Sequence, residues 1–93
     1  MLRNFKVFET NQFRQDMEQD FRGQQGKIRS KLTSYVYPQL TQNPYVGKNI
    51  KKLKNYDPET WRYRVRDFRF FYTIDDRKKI VFMTAADNRE GAY

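Results

Sequence analysis

Trp61-Arg62-Tyr63-Arg64-Val65-Arg66-Asp67-Phe68-Arg69-Phe70-Phe71-Tyr72 is the stretch that decides how this chain folds. From Trp61 to Arg66 an apolar residue and an arginine alternate at every step, and side chains two apart on an extended chain share a face. The pattern predicts a strand with an aromatic face (Trp61, Tyr63, Val65) and an arginine face (Arg62, Arg64, Arg66). Arg66-Asp67 reads as a tight connection to another strand, Phe68 to Ile74. Asp75-Asp76-Arg77-Lys78 is then a turn before a further strand, Lys79 to Ala86, and three strands joined this tightly make an antiparallel meander.

Working back towards the N-terminus, Arg3 to Phe8 carries the same period of two, with Phe5 and Val7 on one side and Lys6 and Phe8 on the other. Thr10 or Asn11 can cap a helix whose Phe13, Met17 and Phe21 recur at every fourth position, and Gly23 and Gly26 are read as ending it. Ile28, Leu32, Tyr35 or Val36, and Leu40 form a second helical stripe. Pro38 lies inside that stripe and predicts a kink or a restart, because proline removes an N–H and crowds the preceding turn. Asn43 to Gly47 is a loop by its Pro and Gly, the run from Lys48 to Lys54 leads into the sheet, and Asp57-Pro58-Glu59 turns again.

The resulting order, β-α-α-β-β-β, buries one sheet face only if the helices pack together across it. The expected fold class is therefore α+β: a two-layer sandwich with an antiparallel sheet on a helical hairpin. Trp61, Tyr63 and Val65 then lie under the helices. Arg62, Arg64 and Arg66 point the other way, about 7 Å apart along the strand, where they repel one another unless an anion lies among them.

Ninety-three residues close one modest core, so residues 1–93 are expected to form a single domain. Eight Phe, seven Tyr and one Trp supply much of the apolar volume, which predicts a ring-rich interior. The absence of cysteine and histidine excludes disulfides and thiolate metal sites and removes the usual neutral-pH proton shuttle, so neither a metal nor a cofactor is expected. Chemistry falls to Arg, Lys, Tyr and carboxylates. Charge interrupts the N-terminus at Arg3, and no apolar run approaches the roughly 20 residues a bilayer requires, which predicts a cytoplasmic protein without a membrane partner. A net charge of +8 favours nucleic acid, the ribosome or an acidic protein.

That charge is concentrated. Lys48, Lys51, Lys52, Lys54, Arg62, Arg64, Arg66 and Arg69 face only Asp57, Glu59 and Asp67 in the same segment. Cations interleaved with rings offer phosphate neutralisation together with faces on which unpaired bases stack. Lys48, Lys51, Lys52, Lys54 and Arg66 are candidate RNA-binding residues, as is Phe71, which shares a side with Arg69. The other rings at alternating positions read as core.

Five segments also carry a family resemblance: Asn43-Pro44, Gly47-Lys48-Asn49-Ile50-Lys51-Lys52-Leu53-Lys54, Trp61-Arg62-Tyr63-Arg64-Val65, Phe68-Arg69-Phe70-Phe71-Tyr72 and Asn88-Arg89-Glu90-Gly91-Ala92-Tyr93. In order and spacing they resemble the RelE/ParE superfamily of toxins from type II toxin–antitoxin systems, and in particular its mRNA-cleaving, RelE-like branch. The specific part covers residues 43–93; the N-terminal half shares the β-α-α plan. The resemblance implies a toxin held silent by a cognate antitoxin in a hetero-oligomer, which on release enters the ribosome and cuts mRNA. It assigns the catalytic roles to Arg62, Arg64, Arg69, Arg89 and Tyr93.

The chemistry asks for similar groups. Attack of a 2′-OH on the adjacent phosphate builds negative charge on phosphorus, which fixed cations stabilise without a metal. A proton must leave the 2′-OH and another must reach the departing 5′ oxygen. Tyr93 is the first choice for this work, with Glu90, Asp87 or a lysine as alternatives. Asn88 stands where many family members carry a histidine. Two other functions share the fold and the basic C-terminal half: DNA gyrase inhibition, as in the ParE branch, and non-catalytic RNA binding.

Overall fold

In the computed structural model, which describes residues 4–20 and 23–88, the alternation at Trp61 does produce a strand. The elements are β1 (Lys6–Glu9), α1 (Asn11–Asp20), α2 (Gln25–Lys31), a π-helical turn (Leu32–Val36), α3 (Tyr37–Gln42), β2 (Ile50–Lys52), β3 (Trp61–Val65), β4 (Phe68–Asp75) and β5 (Ile80–Asn88). Among the described residues the strands form one five-stranded sheet in the order β1-β5-β4-β3-β2, with the helices on one face. The two-layer α+β architecture is as expected, and the meander β3-β4-β5 is antiparallel.

Two features of the sheet differ from the expectation. The lysine run contains a strand of its own, because Ile50, Lys51 and Lys52 pair with Tyr63, Arg62 and Trp61. The sheet is also mixed: β1 runs parallel to β5, with Lys6 opposite Ile80 and Glu9 opposite Met83. β1 begins at Lys6 instead of Arg3, which lies outside the described residues, as does Phe21.

Helix starts follow local chemistry. The Thr10 hydroxyl accepts from the Phe13 N–H at 3.3 Å, capping α1, and itself donates to the Met83 carbonyl at 2.8 Å, tying the cap to the sheet. Gly23 takes a left-handed φ of 78° after α1, whereas Gly26 lies inside α2 and ends nothing. The kink expected at Pro38 takes the form of the π-helical turn just before it. The Tyr37 N–H reaches back to the Leu32 carbonyl, and the widened turn makes room for the proline ring. Helix therefore continues from Gln25 to Gln42 and keeps Ile28, Leu32, Val36 and Leu40 on the buried side.

Those four residues, with Phe13 and Met17, pack on Tyr63, Phe68, Phe70, Tyr72, Val81, Met83 and Ala86. The interior is ring-rich, and its two fully buried tyrosines have their hydroxyls hydrogen-bonded. Tyr63 donates to Gln39 Oε1 at 2.6 Å and Tyr72 to the Pro44 carbonyl at 2.7 Å, so two strand tyrosines anchor α3 and the loop that follows it. Gly47 is required in that loop, since a Cβ there would collide with the Gln39 side chain and come within 2.9 Å of Ile50 Cδ1.

Candidate nucleic-acid interface

The face of the sheet turned away from the helices is built by register. Across β2, β3, β4 and β5 one row runs Lys51, Arg62, Phe71, Ala85, and a second runs Arg64, Arg69, Asp87. Residues directly opposite on antiparallel strands have Cβ atoms about 5 Å apart, so Arg62, Arg64, Arg69 and Lys51 form one cationic patch with Phe71 inside it. The expectation that Phe71 shares a side with Arg69 holds.

Arg64 stands directly opposite Arg69, an arrangement that costs stability in an antiparallel pair. Among the described residues one ion pair offsets part of this repulsion: Arg69 Nη2 lies 3.7 Å from Asp87 Oδ2. The Arg64 Nε donates to the Arg66 carbonyl at 3.1 Å, which holds the side chain without neutralising it. Arg62 is half-buried, and its Nε is enclosed with no hydrogen-bond acceptor among the described residues. Four cations and one carboxylate on these two rows leave an excess of three positive charges.

Several expected site residues fall elsewhere. Because Ile50–Lys52 is a strand, alternation splits the lysine run: Lys51 joins the arginine face, while Lys52 has Trp61 as its cross-strand partner on the helix side. Lys52 pairs there with Glu59 at 2.7 Å, and the Lys52 ammonium holds the Glu59 carboxyl below its ordinary range. Lys48 and Lys54 are exposed in turns on either side of β2. Arg66 does not extend the strand row, since β3 ends at Val65 and Arg66 turns with a left-handed φ of 55°. Arg89 and Tyr93, expected to complete the site, lie outside the described residues.

Two contributors escaped the reading of the chain. The sequence offers Asp87 only for proton transfer; its pairing with Arg69 depends on the register of β5, which no local pattern reveals. Phe8 and Phe82 extend the same face beyond Phe71, with ring centroids 5.8 Å apart in an edge-to-face contact and Phe8 54% exposed. The period of two at Arg3–Phe8 already put Phe8 opposite to Phe5 and Val7, but the parallel pairing that brings it beside Phe82 is non-local.

A second polar cluster lies on the helix side. Glu9 accepts hydrogen bonds from Arg29 and from the Tyr37 hydroxyl, with Arg14 Nε at 3.9 Å from its other oxygen. Burial and the Glu9 carboxylate push the Tyr37 hydroxyl far above its ordinary range, and burial does the same to Tyr72 and, to a lesser degree, to Tyr63. Burial lowers the Arg29 guanidinium, but its bond to Glu9 outweighs that and holds it above its usual value. Through Glu9, Arg29 on α2 and Tyr37 on α3 tie β1 to the helices.

The fold has well-matched solved relatives. The M. tuberculosis RelBE2 toxin–antitoxin complex superposes with a TM-score of 0.74 at 22% identity, over 92% of this chain and 99% of that one. The archaeal RelE–RelB complex from Pyrococcus horikoshii gives 0.66 at 15% identity, over 92% and 96%. A free E. coli RelE carrying two arginine-to-alanine substitutions gives 0.64 at 15% identity, over 96% and 87%. These likenesses define a RelE-type toxin fold. Residues 10–90 match the family model described as the ParE toxin of type II toxin–antitoxin systems, and the chain belongs to that family within the RelE/ParE superfamily. No curated protein matches the sequence.

Proposed function

We propose that this type II toxin is a ribosome-dependent mRNA endoribonuclease that halts translation in the cytoplasm. The observation that carries the reading is the Arg64–Arg69 opposition beside Arg62. Three guanidiniums on rigid strands, with one carboxylate beside them among the described residues, form a preorganised receptor for a phosphate group. In the proposed reaction the 2′-OH gives up its proton and its oxygen bonds to phosphorus. The P–O5′ bond breaks, and the leaving oxygen takes up a proton, giving a 2′,3′-cyclic phosphate and a 5′-OH end. Arg62, Arg64 and Arg69 stabilise the charge on the five-coordinate phosphorus, with Arg89 as a further cation. Phe71 and Lys51 hold the neighbouring nucleotides, by stacking and by phosphate contact respectively.

Proton transfer is assigned to Tyr93, with Asp87 as the alternative already at the patch. Tyr37, Tyr63 and Tyr72 are unsuited because burial opposes their ionisation. The partner that silences this face is an antitoxin, in keeping with the toxin–antitoxin complexes among the structural neighbours. The other reading, inhibition of DNA gyrase, is favoured by the name of the matching family model. Primer extension on mRNA from cells producing the chain, run beside a gyrase supercoiling assay, separates them. Cuts inside translated codons select the nuclease; intact mRNA with blocked supercoiling selects the gyrase reading.

A further inference from the structure

A groove of about 300 Å³ opens between α2 and the β3–β4 hairpin, outside the arginine patch. Its floor is apolar: Ile28 and Phe68 are buried and Val65 is half-buried. Its rim carries Lys27 and Lys31, one helical turn apart on α2, and across from them Arg66 at the hairpin turn. All three cations are exposed, and among the described residues Asp67 is the one acidic lining residue, so the described rim holds three positive charges against one negative. Lys31 also lies over the exposed Tyr35 ring, with Nζ 5.8 Å from its centroid.

The hairpin turn supplies an independent observation. Position 66 has a φ of 55°, a conformation that glycine or asparagine adopts far more readily than arginine. The turn thus bears a conformational cost for a long cationic side chain that its geometry does not require. Likewise, two lysines spaced i, i+4 on one helix face repel one another. An apolar floor that can take a base, beneath cations that can take its phosphate, suits one nucleotide.

The groove also adjoins the patch, because Arg64 donates to the Arg66 carbonyl at the β3 end. We propose that this groove binds a nucleoside phosphate, and that its occupant is the next nucleotide of the strand whose backbone crosses Arg62, Arg64 and Arg69. The first half of this inference stands on the groove alone; the second rests on the RNA reading of the sheet face.

The test is methyl NMR on the full chain, made by cell-free synthesis, titrated with adenosine 5′-monophosphate and with a non-cleavable 2′-O-methyl hexanucleotide. Saturable shifts at Ile28 and Val65 with both probes, and release of the mononucleotide by the hexanucleotide, are expected. A Lys27→Ala/Lys31→Ala variant should weaken hexanucleotide binding roughly tenfold. Arg66→Gly should weaken it several-fold while the melting temperature stays equal or rises.

Unmoved groove methyls with either probe, or equal affinity in the lysine variant, would overturn the site. A mononucleotide that the hexanucleotide cannot displace would overturn the strand assignment. Failure of the sheet-face reading is separable: it would appear as an unshifted Ala85 methyl, on the arginine face, while Ile28 and Val65 still respond.

Discussion

The two faces of β3 differ as sharply as any two regions of this molecule. Tyr63 is fully buried and hydrogen-bonded to Gln39, and its neighbour Arg64 is exposed opposite another arginine. On the helix side the packing is dense, and the strand tyrosines beneath it have partners for their hydroxyls. On the outer side like charges are set against each other across β3 and β4. A sheet face organised for its own stability would intersperse lysine and glutamate. The contrast teaches that one side of the strand is scaffold, while the other carries a like-charge opposition on which the proposed function draws.

Core truncation should give the largest effect. Phe70→Ala removes a ring that packs on Phe13, at 6.3 Å between centroids, and should cost about 3–5 kcal/mol in a denaturant titration, with activity lost through unfolding. Little change in stability would mean that the face assignment is inverted. Next in size, Arg64→Gln and Arg69→Gln should each lower mRNA cleavage by roughly tenfold to a thousandfold. Arg64→Gln should at the same time leave the fold as stable or up to about 1 kcal/mol more stable, since it removes a like-charge pair. A parallel loss of stability and cleavage would break the comparison.

Alkaline titration sharpens it from the scaffold side. Tyr37 and Tyr72 have ionisation raised by burial in the fold, so their contribution is fully present below the ordinary tyrosine value of about 10. It is lost as the pH climbs above that value, because the unfolded chain then ionises first. Melting curves from pH 8 to 11 should show this fall, and Tyr72→Phe should make it shallower. The smallest effect is expected at Lys52→Ala, which breaks an exposed pair with Glu59 on the helix side of the edge strand. It should leave both melting temperature and cleavage essentially unchanged, and a large loss of cleavage would return Lys52 to the site.

What could be read from the chain follows the range of the forces involved. The alternation from Trp61 to Val65 is local, and it gave the strand, its two faces and the arginine row. The helical stripe through Ile28, Leu32 and Leu40 is legible for the same reason, and so is a cap at Thr10 or Asn11; the structure selects Val36 over Tyr35 for the stripe and Thr10 for the cap. The parallel β1–β5 pair was not, because pairing across more than seventy residues leaves no trace in either segment's periodicity. β2 was masked by its composition: three residues at a sheet edge need only backbone partners and can be mostly lysine. Arg66 was misassigned to the strand because its left-handed turn lacks the glycine or asparagine that usually signals one.

The central claim, that the outer face cuts RNA while the inner face holds the fold, is tested most directly at Arg62. Primer extension on mRNA from cells producing the wild-type chain or Arg62→Ala, with melting curves on both proteins, provides the readout. The account predicts cuts inside translated codons for the wild type, a fall of roughly 10²–10³-fold for Arg62→Ala, and closely similar melting temperatures. Equal cutting by Arg62→Ala, or uncut mRNA from the wild type, would contradict it.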